Sequence, residues 1–183
     1  STQVIYRRVD GERVAAPVVL APASQSARFP KVAAMGERLW VVWQDERAGQ
    51  IPRRPAIYAR ESRDGGQSWQ PEQLLRALNG RAEHPDLALG KNGDPLVVWQ
   101  EITADGAFDV MFLNLASEGE PTNLSRAGKT INPADPSDTR SARHPASLWP
   151  RIAVGPAGEV AVAFHDNRTD PDPGWTGAVF VGE

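Results

Sequence analysis

The chain has 183 residues, of which 40% are hydrophobic, with no cysteine and a formal net charge of −3. A length in this range fits one domain, and no apolar run reaches the roughly 20 residues of a membrane helix. The near-balanced charge gives no electrostatic case for nucleic-acid binding, and the lack of cysteine excludes disulfides and thiolate metal sites. Sixteen glycines and sixteen prolines favour many turns between short elements.

In chain order, short apolar stretches predict β-strands, and the pattern of these strands repeats. Three units each read as a strand, a glycine-containing turn and a second strand that ends in an aromatic residue: Pro30–Gly36 with Leu39–Trp43, Pro85–Gly90 with Leu96–Trp99, and Pro150–Gly155 with Val160–Phe164. Third strands are predicted at Ala56–Arg60, Asp109–Leu113 and Ala178–Val181, and fourth strands near Glu72–Leu75 and Pro121–Leu124. Ahead of the first unit, Val4–Arg8 and Pro17–Leu20 match a third and a fourth strand.

Four-stranded units at this spacing predict an all-β fold made of β-propeller blades. A β-sandwich is the alternative, but it does not account for the recurring Pro, Gly and Trp positions. We expect one propeller segment with part of a blade at 1–25, blades at 26–78 and 79–127, and a further part at 128–183 with a long loop at 125–149. About three and a half blades leave the ring incomplete, because propellers close with four to eight. A longer chain, a second copy or another chain is therefore expected to complete it.

One turn carries a specific motif. Ser62, Asp64, Gly66 and Trp69 fit the pattern S-x-D-x-G-x-x-W after the third strand of the first unit. Ser and Asp side chains bond the backbone N–H groups of such a turn, and glycine permits the positive φ that it needs. We therefore interpret the motif as a structural hairpin clamp. It resembles the Asp box of sialidase-type (BNR-repeat) propellers.

The resemblance to sialidases extends upstream over Arg28–Trp69. Arg28 with Phe29 and Pro30 stands where sialidases carry Arg-Ile-Pro, and Asp45-Glu46-Arg47 stands where they carry an acidic-x-Arg element. The resemblance implies that Arg28 binds a ligand carboxylate and that Arg47 lies in the same site. Hairpin alternation predicts that both lie on one rim, where Asp45 and Arg53 are further candidate ligand contacts. The competing interpretation is that Asp45 and Arg47 only order their loop, since a similar element recurs at Phe164–Arg168.

The same stretch lacks the catalytic acid of sialidases. Residues 48–60 contain no Asp or Glu, whereas a glycosidase needs a proton donor beside the scissile bond. This favours a non-catalytic module that binds a glycan, an anionic ligand or a protein on one face. The alternatives are an exo-sialidase-like glycoside hydrolase, as a fragment or subunit, and a structural subunit that completes a propeller with a second chain.

No cofactor or metal is expected. His84, His144 and His165 are predicted near the same rim, but their spacing matches no metal-ligand pattern. The family resemblance and the absence of cysteine favour a secreted or periplasmic location.

Overall fold

The computed structural model of the chain describes residues 2–22, 24, 26–47, 54–76, 81–102, 108–125, 147–166 and 176–182. All regular elements in these ranges are β-strands. Accordingly, the described part of the chain has no helix long and apolar enough to cross a membrane. The all-β class predicted from the sequence is confirmed.

The strands are short and follow one another closely along the chain. Their bounds are β1 Ile5–Tyr6, β2 Val9–Asp10, β3 Arg13–Val14, β4 Val18–Val19, β5 Ala27–Met35, β6 Arg38–Asp45, β7 Ala56–Ser62, β8 Gln73–Arg76, β9 Arg81–Leu89, β10 Pro95–Ile102, β11 Phe108–Asn114, β12 Thr122–Asn123, β13 Ser147–Val154, β14 Val160–Asp166 and β15 Thr176–Gly182.

The strands form separate antiparallel sheets, and the three largest are each built from consecutive strands. Two sheets have four strands, in the orders β5-β6-β7-β8 and β9-β10-β11-β12, and a third has the order β13-β14-β15. We call these three sheets blades 1, 2 and 3. Strand β1 pairs with β4, and β2 pairs with β3 as a short hairpin between them. These sheets are the blades of an incomplete β-propeller, as the repeats predict.

The predicted divisions between blades fall at residues 25, 78–79 and 127–128, all of which lie outside the described residues. Most of the predicted long loop at 125–149 lies outside them as well. The blade boundaries therefore stay predictions.

The core lies between neighbouring sheets and not within any one of them. Strands β6 and β10 are buried on both faces. Because successive side chains of a strand point to opposite sides, each of these strands packs against two neighbouring sheets. In β6, Trp40 and Val42 pack against blade 2, whereas Val41 and Trp43 pack against β1 and β4. In β10, Val97 and Trp99 face blade 1, and Leu96 and Val98 face blade 3. Each sheet thus packs against its neighbours. The first strands of the three blades, β5, β9 and β13, lie next to one another and form the inner edge of the blades.

Candidate functional site

Each of the three inner strands has the same irregularity near its start. The pairing register shifts at Phe29-Pro30 in β5, at His84-Pro85 in β9 and at Trp149-Pro150 in β13. Phe29, His84 and Trp149 have φ angles of 52°, 51° and 51°, and they are the non-glycine residues with positive φ among those described. Left-handed backbone is uncommon for bulky residues and is concentrated at functional sites, where the surrounding structure imposes it.

The three bulges bring aromatic side chains from different blades into one row. The ring centroids of Phe29 and His84 lie 4.5 Å apart, those of His84 and Trp149 6.4 Å, and those of Trp149 and His165 5.4 Å. Phe29 and Trp149 remain 44% and 40% exposed. We call these four residues the aromatic row. It offers an apolar surface with imidazole groups along it, at the inner edge of three consecutive blades.

Two buried glutamines hold the strained backbone of the row. The backbone N–H of His84 donates to Gln44 Oε1 at 3.1 Å, and that of Trp149 donates to Gln100 Oε1 at 2.9 Å. Both glutamines come from the second strand of the preceding blade. Each blade therefore fixes the position of the next aromatic residue along the row.

His84 lies in the middle of the row and is half-buried. Burial lowers the pKa of His84, and nearby Arg151 lowers it further, while Glu83 acts in the opposite direction. Its Nδ1 atom is buried without a hydrogen-bond partner. The imidazole is consequently neutral at pH 7 and acts as part of the apolar surface.

The acidic residues at the ends of the second strands are tied into the scaffold. The Trp43 indole N–H donates to Asp45 Oδ2 at 3.4 Å, and the Trp99 indole N–H donates to Glu101 Oε2 at 3.1 Å. Asp45 is fully buried, and its other oxygen accepts a 2.6 Å hydrogen bond from the Ser24 hydroxyl. The predicted ligand contact Asp45 thus lies beneath the surface, bonded to Ser24 and Trp43.

Two further carboxylates near the row also have partners. Glu83 forms a 2.6 Å ion pair with Arg81. Asp86 lies 3.7 Å from Lys31 of blade 1 and accepts the backbone N–H of Ile152 of blade 3. Asp86 therefore connects three blades. Within the described ranges, no group of three His, Asp or Glu side chains is arranged to hold a metal ion.

Arg47 is engaged by its own blade. Its guanidinium donates two hydrogen bonds to Glu72, at 2.5 and 2.7 Å, and lies 3.9 Å from the ring centroid of Tyr58. The hydrogen bond from Arg47 lowers the pKa of Glu72, and the same contact raises the pKa of Arg47. This arrangement fastens the end of β6 to the start of β8.

Arg28 and Arg47 lie at the same end of blade 1 but on opposite faces of its sheet. Arg28 is exposed and pairs with Gln44, which reaches toward blade 2. Residues directly opposite in a register share a face, so Arg28 lies on the side of the aromatic row. Arg47 packs on Tyr58, which faces β1 and β4. The two guanidiniums therefore do not converge on one point. Arg53, the remaining predicted contact, lies outside the described residues.

The predicted hairpin motif lies at the other end of blade 1, between β7 and β8. The N–H of Gly66 donates to Ser62 Oγ at 2.9 Å, and the Ser62 hydroxyl donates to Asp64 Oδ1 at 2.8 Å. The backbone N–H and hydroxyl of Ser68 donate to the two oxygens of Asp64 at 2.8 and 2.5 Å. The hydrogen bonds that Asp64 accepts lower its pKa to about 2, and the one from the Ser68 hydroxyl has the largest effect.

Trp69 folds back from this turn and meets Tyr6 edge-on, with ring centroids 5.0 Å apart. Gly66 has a φ of 86°, and a Cβ at this position would overlap the Tyr6 ring. The turn thus packs against strand β1, far from the aromatic row.

Comparisons with known proteins support the fold alone. No family model matches the chain, and no curated protein matches it. Among solved structures, the chain is similar to an endo-arabinase from Bacteroides thetaiotaomicron VPI-5482, with a TM-score of 0.57, 15% identity, and coverage of 87% of this chain and 57% of that one. It is also similar to an α-L-arabinanase from Penicillium chrysogenum, complexed with arabinobiose, with a TM-score of 0.53, 14% identity and coverage of 96% and 54%. An α-L-arabinofuranosidase from Lactobacillus brevis gives a TM-score of 0.52, 13% identity and coverage of 90% and 56%. The chain therefore spans little more than half the length of these propellers.

The site residues predicted from the sequence are mainly arginines and include little of the row. The sequence places Phe29 in the Arg-Phe-Pro element and the histidines near the rim, and it predicts no role for Trp149, Gln44 or Gln100. The available signal was an aromatic or imidazole residue directly before the proline that opens each of the three units.

Proposed function

We propose that this chain is a non-catalytic propeller module that binds a glycan along the aromatic row. The observation that carries the proposal is the repetition of one strained position in three blades, exposed at Phe29 and Trp149 and half-buried at His84. Phe29, His84 and Trp149 each keep a left-handed backbone, and their rings form one continuous surface. A strained backbone of this kind costs about 1–3 kcal/mol per residue. A ligand-binding role of the three rings accounts for this cost.

The chemistry of the row favours sugars as ligands. Binding sites combine apolar and aromatic walls with a few polar groups, and the row offers both through its rings and the imidazole of His165. Exposed Arg28 lies beside Phe29 and supplies a charge for an anionic sugar. An arabinanase with a bound sugar is among the similar structures, which supports a carbohydrate as the ligand class.

A binding role is favoured over hydrolysis by the state of the carboxylates. Glycosidases use two carboxyl groups that flank the scissile bond. Four of the carboxylates described near the row, Asp45, Glu83, Asp86 and Glu101, bond to the scaffold. A sialidase-like ancestry, based on Arg28–Trp69, and a secreted or periplasmic location belong to this proposal. The alternative is a glycoside hydrolase whose remaining acid groups lie in other blades.

The proposal is tested by calorimetric titration with two probes, arabinobiose and sialyllactose. Phe29→Ala and Trp149→Ala are expected to weaken binding about tenfold or more, because central aromatic contacts dominate interface energies. Met35→Ala is the matched control, because Met35 is 45% exposed and lies at the other end of β5. Loss of binding in this control as well would contradict a site on the row.

The same samples distinguish binding from hydrolysis. Incubation with either probe, followed by product analysis, is expected to return the intact sugar. Release of monosaccharide by the wild-type chain, abolished in Glu101→Gln, would overturn the non-catalytic assignment in favour of a glycosidase.

A further inference from the structure

The rings of the aromatic row are turned relative to one another. The planes of Phe29 and His84 differ by 42°, those of His84 and Trp149 by 86°, and those of Trp149 and His165 by 88°. A sugar unit stacks on one flat aromatic face, so it cannot lie flat against two neighbouring rings whose planes are nearly perpendicular. The row therefore offers a series of separate contact points and not one continuous platform.

The contact points follow one another along the inner edge of the blades. Successive ring centroids lie 4.5, 6.4 and 5.4 Å apart, and these spacings are comparable to the length of one sugar unit in a linear chain. The first three rings come from β5, β9 and β13, and His165 comes from β14. A chain of several units can consequently contact one ring after another, whereas a single sugar reaches only part of the row.

Contacts between the blades fix the spacing of the rings. The backbone N–H groups of His84 and Trp149 are held by Gln44 and Gln100 of the preceding blade. Asp86 of blade 2 also accepts a backbone N–H of β13 at 3.1 Å and lies 3.7 Å from a lysine of β5. A site that is already ordered loses less conformational entropy when it binds. The row is thus preorganised over three blades, which favours a ligand that spans all three.

The angles between the rings distinguish between two kinds of linear glycan. In a flat ribbon, as in cellulose, the sugar units lie nearly in one plane and would require coplanar aromatic rings as contacts. In a twisted chain, as in arabinan, successive units turn relative to one another. The nearly perpendicular planes of His84 and Trp149, and of Trp149 and His165, match the twisted kind.

We propose that the aromatic row binds a linear, twisted glycan along its length, with at least three consecutive units in contact with rings of successive blades. This proposal rests on the glycan-binding function proposed above and names the form of the ligand, which is a stretch of polysaccharide chain and not a single terminal sugar. Each further unit that reaches a ring buries more apolar surface. Affinity therefore increases with the length of the chain until the row is filled.

Calorimetric titration with two series of oligosaccharides tests the proposal. Affinity for arabino-oligosaccharides is expected to rise about tenfold or more from arabinobiose to arabinotetraose and then to level off. Cello-oligosaccharides of the same lengths are expected to show no such rise, because their units form a flat ribbon. Equal affinity for arabinobiose and its longer homologues, or an equal rise in the cello-oligosaccharide series, would overturn the proposal and leave glycan binding intact.

Sialyllactose separates the remaining outcomes. If it binds on the row while neither linear series does, the row takes a terminal sugar, and the inference about a chain is wrong although the proposed function stands. If sialyllactose does not bind either, the proposed function fails together with this inference.

Variants of the two exposed aromatic residues locate the chain. In Phe29→Ala and in Trp149→Ala, the rise from arabinobiose to arabinotetraose is expected to shrink to less than about threefold, because the chain loses one of its contact points. Leu74→Ala is the matched control, since Leu74 is 48% exposed and lies in the fourth strand of blade 1, and it is expected to keep the full rise. A full rise in both row variants would place the added units elsewhere and overturn the proposal.

Discussion

At the scale of single residues, the aromatic row depends on two buried glutamines behind it. Gln44 is buried and its Oε1 accepts the N–H of strained His84. In Gln44→Leu the shape is nearly kept but this N–H loses its acceptor, and a buried unsatisfied donor costs about 1–3 kcal/mol. We expect a loss of that size in the free energy of unfolding, measured with urea, and faster hydrogen exchange at the His84 amide. Gln73→Leu, at an exposed position of β8, is the control and should change neither quantity.

The lowered pKa of His84 gives a second residue-scale prediction. Between its folded pKa and the usual value near 6.5, the unfolded chain binds a proton that the folded chain does not. Stability is therefore complete above about pH 6.5 and falls as the pH is lowered through this window. In His84→Phe this part of the loss should disappear, which thermal unfolding of both proteins from pH 7.5 downward will measure. An unchanged pH profile in the variant would show that His84 is not held neutral.

At the scale of elements, the turn between β7 and β8 owes its shape to one carboxylate. Hydrogen bonds from Ser68 and Ser62 hold the pKa of Asp64 at about 2, below its unfolded value near 3.9. The resulting stabilisation is complete above pH 4 and is lost as the pH falls toward 2. We expect Asp64→Asn to have a lower Tm than the wild type at pH 7, and this difference to shrink between pH 4 and 2. Ser117→Ala, in the turn after β11, is the control and should show no such pH-dependent difference, because it removes no carboxyl group.

The elements were the most predictable part of the molecule. The third strand predicted at Ala56–Arg60 and the hairpins around Gly36 and Gly155 follow from alternation and turn residues, which act locally. Strands β1 and β4 were predicted from their likeness to later strands, and they pair as expected. The aromatic row was not predicted because the contacts that form it join different blades. The backbone of Trp149 is bent by a bulge and held by Gln100 of another blade, and no pattern within β13 records that contact.

At the scale of the whole molecule, Trp99 stabilises the fold, whereas Trp149 belongs to the proposed binding surface. Trp99 is fully buried between blades 1 and 2, and its indole holds Glu101. Trp149 lies at the surface of the row, in contact with two imidazoles. Because each described core cluster joins two neighbouring sheets, loss of a side chain between two blades weakens the junction that joins the rest of the fold.

These two positions give a paired prediction. Trp99→Ala should lower the free energy of unfolding by about 3–5 kcal/mol, the usual cost of deleting a buried large aromatic side chain. The molecules that remain folded should retain their affinity for the glycan probe. Trp149→Ala should lose affinity with a much smaller loss of stability, since part of its ring is already in water. Urea unfolding and calorimetric titration of both variants measure the two quantities. If both substitutions reduced stability and affinity in the same proportion, the row would be an extension of the core, and the separation of scaffold from binding surface would not hold.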